Sequence, residues 1–166
     1  MPITPFHWGP SSWIGLLLFR ILDFSTFLVA SVIVDIEPFY LLLFNLGYPY
    51  HRFFHTFLGG SIAAVLTAIV LYLLRNQIKK IMAILRLVQE SSFKKILWTS
   101  FAGVYLHIFL DSFINIDMKP FYPLEINPFL GVFSAPQIYT FCGISFFAGI
   151  LLYLVRLATV KREKKW

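Results

Sequence analysis

Cysteine and charge are both scarce in this sequence. The single Cys142 in 166 residues excludes an intramolecular disulfide and any Cys-rich zinc site. Charged residues make up 13% of the chain, against about 25% in ordinary soluble domains. Internal repeats and low-complexity tracts are also missing, which excludes a solenoid and a disordered linker protein. What fills the space is apolar. Hydrophobic residues make up 58%, aromatics 19%, and Phe alone contributes 19 residues. The mean hydropathy is +0.76. A soluble domain of this size keeps too much surface to hide that composition. The sequence therefore predicts one all-α, membrane-embedded domain over residues 1–166.

The net charge is +6, but its distribution excludes a nucleic-acid role. Six basic residues fall between Arg75 and Lys95: Arg75, Lys79, Lys80, Arg86, Lys94 and Lys95. Five more form the tail: Arg156, Lys161, Arg162, Lys164 and Lys165. Each block abuts a long apolar run, the pattern of cytoplasmic loops in a multi-pass protein. Contact with anionic lipid headgroups follows from the same pattern.

No secretory signal is evident, so the sequence predicts that the segment carrying His7 stays on the mature protein. Ser11 to Leu22 reads as a short apolar helix capped at Ser11 or Ser12. Asp23 reads as the N-cap of a second segment, Phe24 to Val34. Joined, the two would make one span with Arg20 and Asp23 near its middle. Folded back, they would make a re-entrant hairpin with those charges at its tip. Pro38 opens a third stretch, Phe39 to Leu46, broken by Gly47-Tyr48-Pro49-Tyr50. Three long spans are predicted: about Arg52 to Leu74, Ile96 to Ile116, and Ile138 to Ala158. Gly59-Gly60-Ser61 would allow close packing in the first. Asn76 to Ser92 reads as a cytoplasmic interfacial helix, with Ile78, Ile81, Met82 and Leu85 opposite Lys79, Lys80 and Arg86. Trp8, Trp13 and Trp98 read as interfacial anchors, and Cys142 as a core residue. With Arg75, Lys94, Lys95 and the tail inside, His51 and Asp117 share the extracytoplasmic face.

The rare polar residues gather on that face. All four His qualify: His7, His51, His55 and His107. So do Asp35, Glu37, Asp111 and Asp117. Singly, each has a plain explanation as a packing residue, a helix start or a polar turn. Jointly, in a chain so poor in charge, they indicate a functional site. His107 and Asp111 are four apart and share a helix face. His51 and His55 are also four apart, and would share one if helix begins by Tyr50. Two such pairs can supply four ligands to zinc or a similar divalent ion.

In order, these residues form short motifs: Thr4-Pro5-Phe6-His7, Asp35-Ile36-Glu37-Pro38, His51-Arg52-Phe53-Phe54-His55-Thr56, Leu106-His107-Ile108-Phe109-Leu110-Asp111, and Lys119-Pro120-Phe121-Tyr122-Pro123. The series resembles the bacterial and archaeal membrane-bound metal-dependent hydrolases of the YdjM type. Those show Gly-His near the start, Pro-Asp-Ile-Asp, His-Arg-Gly-x-Thr-His-Ser, His-x-x-x-Asp and a Trp-Pro loop. They are distantly related to zinc-dependent phospholipase C and the zinc single-strand nucleases. This chain departs from the pattern at Val34, at the His51–His55 spacing and at Tyr122. The resemblance implies His7, Asp35, His55, His107 and Asp111 as metal ligands, with His51 and Glu37 as further ligands or their supports. It also favours the hairpin, because His7 and Asp35 can meet one ion only if the chain between them returns to its starting side.

The expected function is hydrolysis, by water activated on one or two zinc-like ions, of a phosphoester in a lipid or other amphiphile. Glu37 or Asp117 would act as general base or orient ligands, and Arg52 would hold a phosphate oxygen. Glu125 is a weaker candidate. The expected setting is a prokaryotic inner membrane, with lipids as partners, the C-terminus cytoplasmic and the site outside. The rival readings are a metal transporter or sensor, and a structural membrane protein whose His residues only pack. The inner halves of the spans carry almost no ionisable groups, which disfavours a transport path.

Overall fold

A computed structural model describes residues 4–163, with side chains described for residues 5–159. The last residues of the basic tail, including Lys164 and Lys165, lie outside the described residues. Every regular element among the described residues is helical. The α-helices are α1 (Trp8–Leu17), α2 (Phe24–Ala30), α3 (Ile36–Leu43), α4 (Phe57–Leu73), α5 (Arg75–Ile84), α6 (Phe93–Ser112) and α7 (Ala135–Glu163). Single 3-10 turns precede α1, α3 and α4, at Thr4–His7, Ile33–Asp35 and Phe53–His55.

α6 is the central helix. α2 packs on one side of it and α4 on another, while α1 bridges α2 and α7. Ala30, Val34, Ala64, Val104, Ile108 and Met118 form the main core cluster. Small residues set these approaches. A Cβ on Gly103 would lie 2.7 Å from Ala30 Cβ and 3.0 Å from the Phe27 carbonyl oxygen. A Cβ on Gly60 would lie 2.5 Å from Ile108 Cδ1, so the glycine pair in α4 does permit close contact, and with α6.

Residues 4–35 fold back on themselves. α1 and α2 lie side by side, and the turn between them is pinned at the far end of the bundle. Asp23 caps α2 as predicted, accepting from the Thr26 amide at 2.9 Å. Its carboxylate also takes the hydroxyls of Ser25 and Ser91. Among the described contacts it makes no ion pair with Arg20. Gln89 completes the clamp, donating to the Leu22 carbonyl and accepting from the Phe24 amide.

Several boundaries differ from the sequence reading. α1 starts at Trp8, ahead of the serines, and Pro10 fits its first turn, where no amide partner is needed. α3 starts at Ile36, with Pro38 inside its first turn. α4 starts only at Phe57, because Thr56 caps it by accepting from the Gly59 amide at 2.9 Å. His51 and His55 therefore precede the helix and do not share a helical face. α5 ends at Ile84, well before Ser92. Arg86 takes a left-handed φ of 57°, and the Leu87 amide returns to the Met82 carbonyl at 2.9 Å, which closes the helix.

Two segments are long and apolar enough to cross a membrane, Phe24–Leu43 and Ala135–Thr159. α4 with α5 makes a third if that pair, bent by 75°, is one span. α6 is not among them, because Lys94, Lys95, His107 and Asp111 lower its apolarity. Much of the outer surface is nonetheless hydrocarbon, including Leu73, Leu151 and Phe147.

Candidate metal centre

Four backbone segments deliver buried polar side chains to one end of the bundle. α6 supplies His107 and Asp111, one turn apart and almost fully buried. The 3-10 turn after α2 supplies Asp35, the turn before α4 supplies His55, and the loop ahead of it supplies His51. The turn before α1 supplies His7. The hairpin makes this possible, since His7 and Asp35 arrive at the same place from its two ends.

Asp35 and Asp111 stand between the imidazoles. Asp35 Oδ1 is 3.4 Å from His107 Nε2 and 3.7 Å from His55 Nε2. Asp111 Oδ2 is 3.5 Å from His107 Nε2 and 3.6 Å from His51 Nε2. Asp111 Oδ1 faces His7 Nε2 at 3.2 Å. Ligand atoms of Asp35, His55, His107 and Asp111 all lie within 4.8 Å of one another.

Three of the four rings are fixed from behind. His107 Nδ1 donates to the Ser31 carbonyl at 2.8 Å. His55 Nδ1 meets Glu37 Oε2 at 2.9 Å, and His51 Nδ1 meets Asp117 Oδ1 at 2.7 Å. A carbonyl or carboxylate oxygen only accepts, so each Nδ1 carries the hydrogen and leaves Nε2 with its lone pair facing inward. Burial works against charge on His51, but the carboxylates of Asp111 and Asp117 outweigh it and hold the ring above the ordinary histidine value. Asp117 is held below the usual carboxylate range despite its burial, by the His51 amide and imidazole and the Tyr50 amide.

This donor set fits a divalent cation. The Nε2 atoms of all four histidines, with Asp35 Oδ2 and Asp111 Oδ1, are buried and lack hydrogen-bond partners. A buried polar atom left unpaired is costly, and a cation held among Asp35, His55, His107 and Asp111 would satisfy several of them at once. The separations of 3.4 to 3.7 Å are long for hydrogen bonds. They approach the ~3.3–3.5 Å edge of a tetrahedron whose ligands sit about 2.0–2.1 Å from a zinc ion. Imidazole and carboxylate also suit other borderline metals, so the set leaves the ion's identity open.

Of the residues expected as ligands, Asp35, His55, His107 and Asp111 form one group, and His7 and His51 join it at Asp111. Glu37 and Asp117 stand behind the ligands. Both Glu37 oxygens are engaged, by the Arg52 and Phe54 amides and His55, and both Asp117 oxygens by Tyr50 and His51. That makes orientation of the rings their visible part. Arg52 is not in the cluster. Its Nε and Nη2 donate to the carbonyls of Pro49, Leu46 and Gly47, and it borders an open cleft of about 520 Å³ with His51 and Asp117. Glu125 is remote, exposed and paired with Lys119. Sequence reasoning missed Ser31, whose part is played by a backbone carbonyl that its residue type does not announce. Comparison with protein-family models, with curated proteins and with solved structures finds no match for this chain.

Proposed function

We propose that this chain is a metal-dependent hydrolase of a membrane, acting on a phosphoester of a lipid or other amphiphile. The observation that carries the reading is the set of four buried Nε2 atoms facing two carboxylates, three of them fixed as lone-pair donors by an acceptor on Nδ1. Structural packing alone does not call for such a set, because it leaves buried polar atoms unpaired. The motifs shared with the YdjM-type hydrolases support the same reading, with zinc as the ion, one or two per chain.

His55, His107, Asp35 and Asp111 are the ligands of one ion, and His7 and His51 complete the centre through Asp111. The chemistry such an ion supplies when bound is Lewis acidity, which lowers the pKa of water and offsets charge developing on a phosphoryl group. Glu37 and Asp117 hold the rings of His55 and His51 in register and raise their basicity. Arg52 contacts a phosphate oxygen through Nη1, which has no partner among the described contacts.

In this reading α4, α6 and α7 are the three long spans, α6 being shielded from lipid on the faces that carry its polar groups. α1 and α2 form a re-entrant hairpin, and α5 lies at the cytoplasmic interface of a prokaryotic inner membrane. The site then faces the extracytoplasmic side and the C-terminus the cytoplasm.

Elemental analysis of detergent-purified protein tests the reading, beside a His107→Ala/Asp111→Ala double variant. Near-stoichiometric zinc or manganese that vanishes in the variant is the expected result. Wild-type protein that takes up no metal after reconstitution would refute it.

A further inference from the structure

The centre has an apolar approach as well as a polar one. On the α2–α3 side of the bundle, a groove of about 590 Å³ runs between α3 and α4. Val29, Ile33 and Tyr40 form one wall, and Ala63, Leu66 and Val70 the other. The groove's charged residues are Glu37 and Arg52. A second hollow, of about 720 Å³, shares Val29, Ile33, Ile36 and Leu71 with it and has Asp35 in its lining. The two hollows are neighbours across these shared residues, and the second has a residue of the metal cluster in its lining. Arg52 borders both this groove and the polar cleft containing His51 and Asp117.

An apolar channel, a cation at its charged end and a polar cleft beyond that cation match the parts of an amphiphile. We infer that the groove between α3 and α4 seats the hydrocarbon chain of a membrane phospholipid whose phosphate lies at Arg52, so that the substrate reaches the centre sideways from the bilayer. The inference rests on the hydrolase reading for its chemistry, but not for its binding geometry. A bilayer already covers any apolar face with lipid. What separates a substrate groove from ordinary lipid contact is preference for the phosphate-bearing head, which Arg52 and the centre supply.

The test is photocrosslinking in phosphatidylcholine nanodiscs. Two probes carry a diazirine at the end of the same acyl chain, one a phosphatidate and the other a diacylglycerol, which lacks the phosphate. Labelled residues are mapped by peptide mass spectrometry, and metal content is measured on the same samples. The phosphatidate probe is expected to label residues 29–40 and 63–70 about tenfold more than the diacylglycerol probe, the factor one charge-assisted hydrogen bond supplies. Leu66→Trp fills the groove from an exposed position and should abolish the excess with metal content unchanged. Val29→Trp, on the opposite wall, should do the same if Leu66→Trp fails to fold. Arg52→Gln should bring the two probes to equal labelling. Equal labelling of the wild-type protein by both probes, or an excess that survives both Trp variants, overturns the groove. Selective labelling of a protein that holds no metal keeps the groove and refutes the hydrolase reading. Bound metal with unselective labelling does the reverse.

Discussion

The imidazole of His7 lies against that of His107, with ring centroids 4.0 Å apart and planes 30° from parallel. Their Nε2 atoms face opposite oxygens of one carboxylate, Asp111 Oδ1 and Oδ2. Two stacked imidazolium ions would repel, so the pair is suited to neutral rings that share a cation through Asp111. His7→Phe keeps a ring in the stack and removes the ligand atom. Metal affinity should fall by more than about tenfold, as it does when even a supporting partner of a ligand is removed. Competition against a chromogenic chelator measures this, and an unchanged affinity would remove His7 from the centre.

Glu37 and Asp117 support rings instead of holding the ion. Glu37→Gln keeps an oxygen to accept from His55 Nδ1, so it should cost less affinity than Glu37→Ala, which should lose about 10–100-fold. Both alanine variants should also cost order in the loop, since Asp117→Ala strands the amides of Tyr50 and His51 and Glu37→Ala those of Arg52 and Phe54. Chelator competition and circular dichroism on the same variants separate the two effects.

Acid should empty the centre early. Asp111 and Asp117 raise the proton affinity of His51 in the metal-free protein, and a protonated ring cannot ligate. The proton is the competitor, so the apparent affinity falls as pH falls, beginning where metal-free His51 takes up its proton, above the ordinary histidine value of 6.5. Dialysis across a pH series followed by metal analysis would show it. His51→Ala should make the pH dependence shallower, because one fewer proton competes, although its overall affinity is weaker.

Gly103→Leu should damage stability and the centre together. Its side chain would drive into Ala30 and the backbone at Phe27 and Ser31, and such overpacking typically costs about 1–3 kcal/mol. The same displacement moves the Ser31 carbonyl away from His107. Thermal unfolding in detergent and metal content should therefore fall in step.

Asp23→Ala should loosen the hairpin at its clamped end. Loss of the cap costs roughly 0.5–2 kcal/mol, and Ser25 and Ser91 lose their acceptor as well. Hydrogen exchange should rise around residues 18–30 before the rest of the chain responds.

The candidate ligands were legible because they are expensive. In a chain this apolar, each His and Asp at membrane depth stands out, and the i, i+4 pair of His107 and Asp111 followed from helix geometry alone. The Asp23 cap, the break at residues 47–50 and the close approach at Gly60 were legible for local reasons. What the sequence hid depends on contacts between distant segments. The loop containing His51 and His55 is held by Glu37 and Asp117 instead of by a helix, and no spacing rule reports that. The early end of α5 depends on Arg86 entering the left-handed region, a conformation that its residue type does not advertise.

The hairpin that returns Asp35 to His7 also sets an order of events during synthesis. Both residues emerge before α6, and until His107 and Asp111 follow, His7 lacks the carboxylate it faces and Asp35 has only His55. The clamp at the opposite end is equally late, because Gln89 and Ser91 are made some 70 residues after the turn they secure. The first third of the chain must therefore wait in a provisional arrangement, and its final shape is fixed from both ends only when the central helix is delivered. The hairpin is thus completed by α6, and a ribosome stalled before residue 93 should leave it open to proteases.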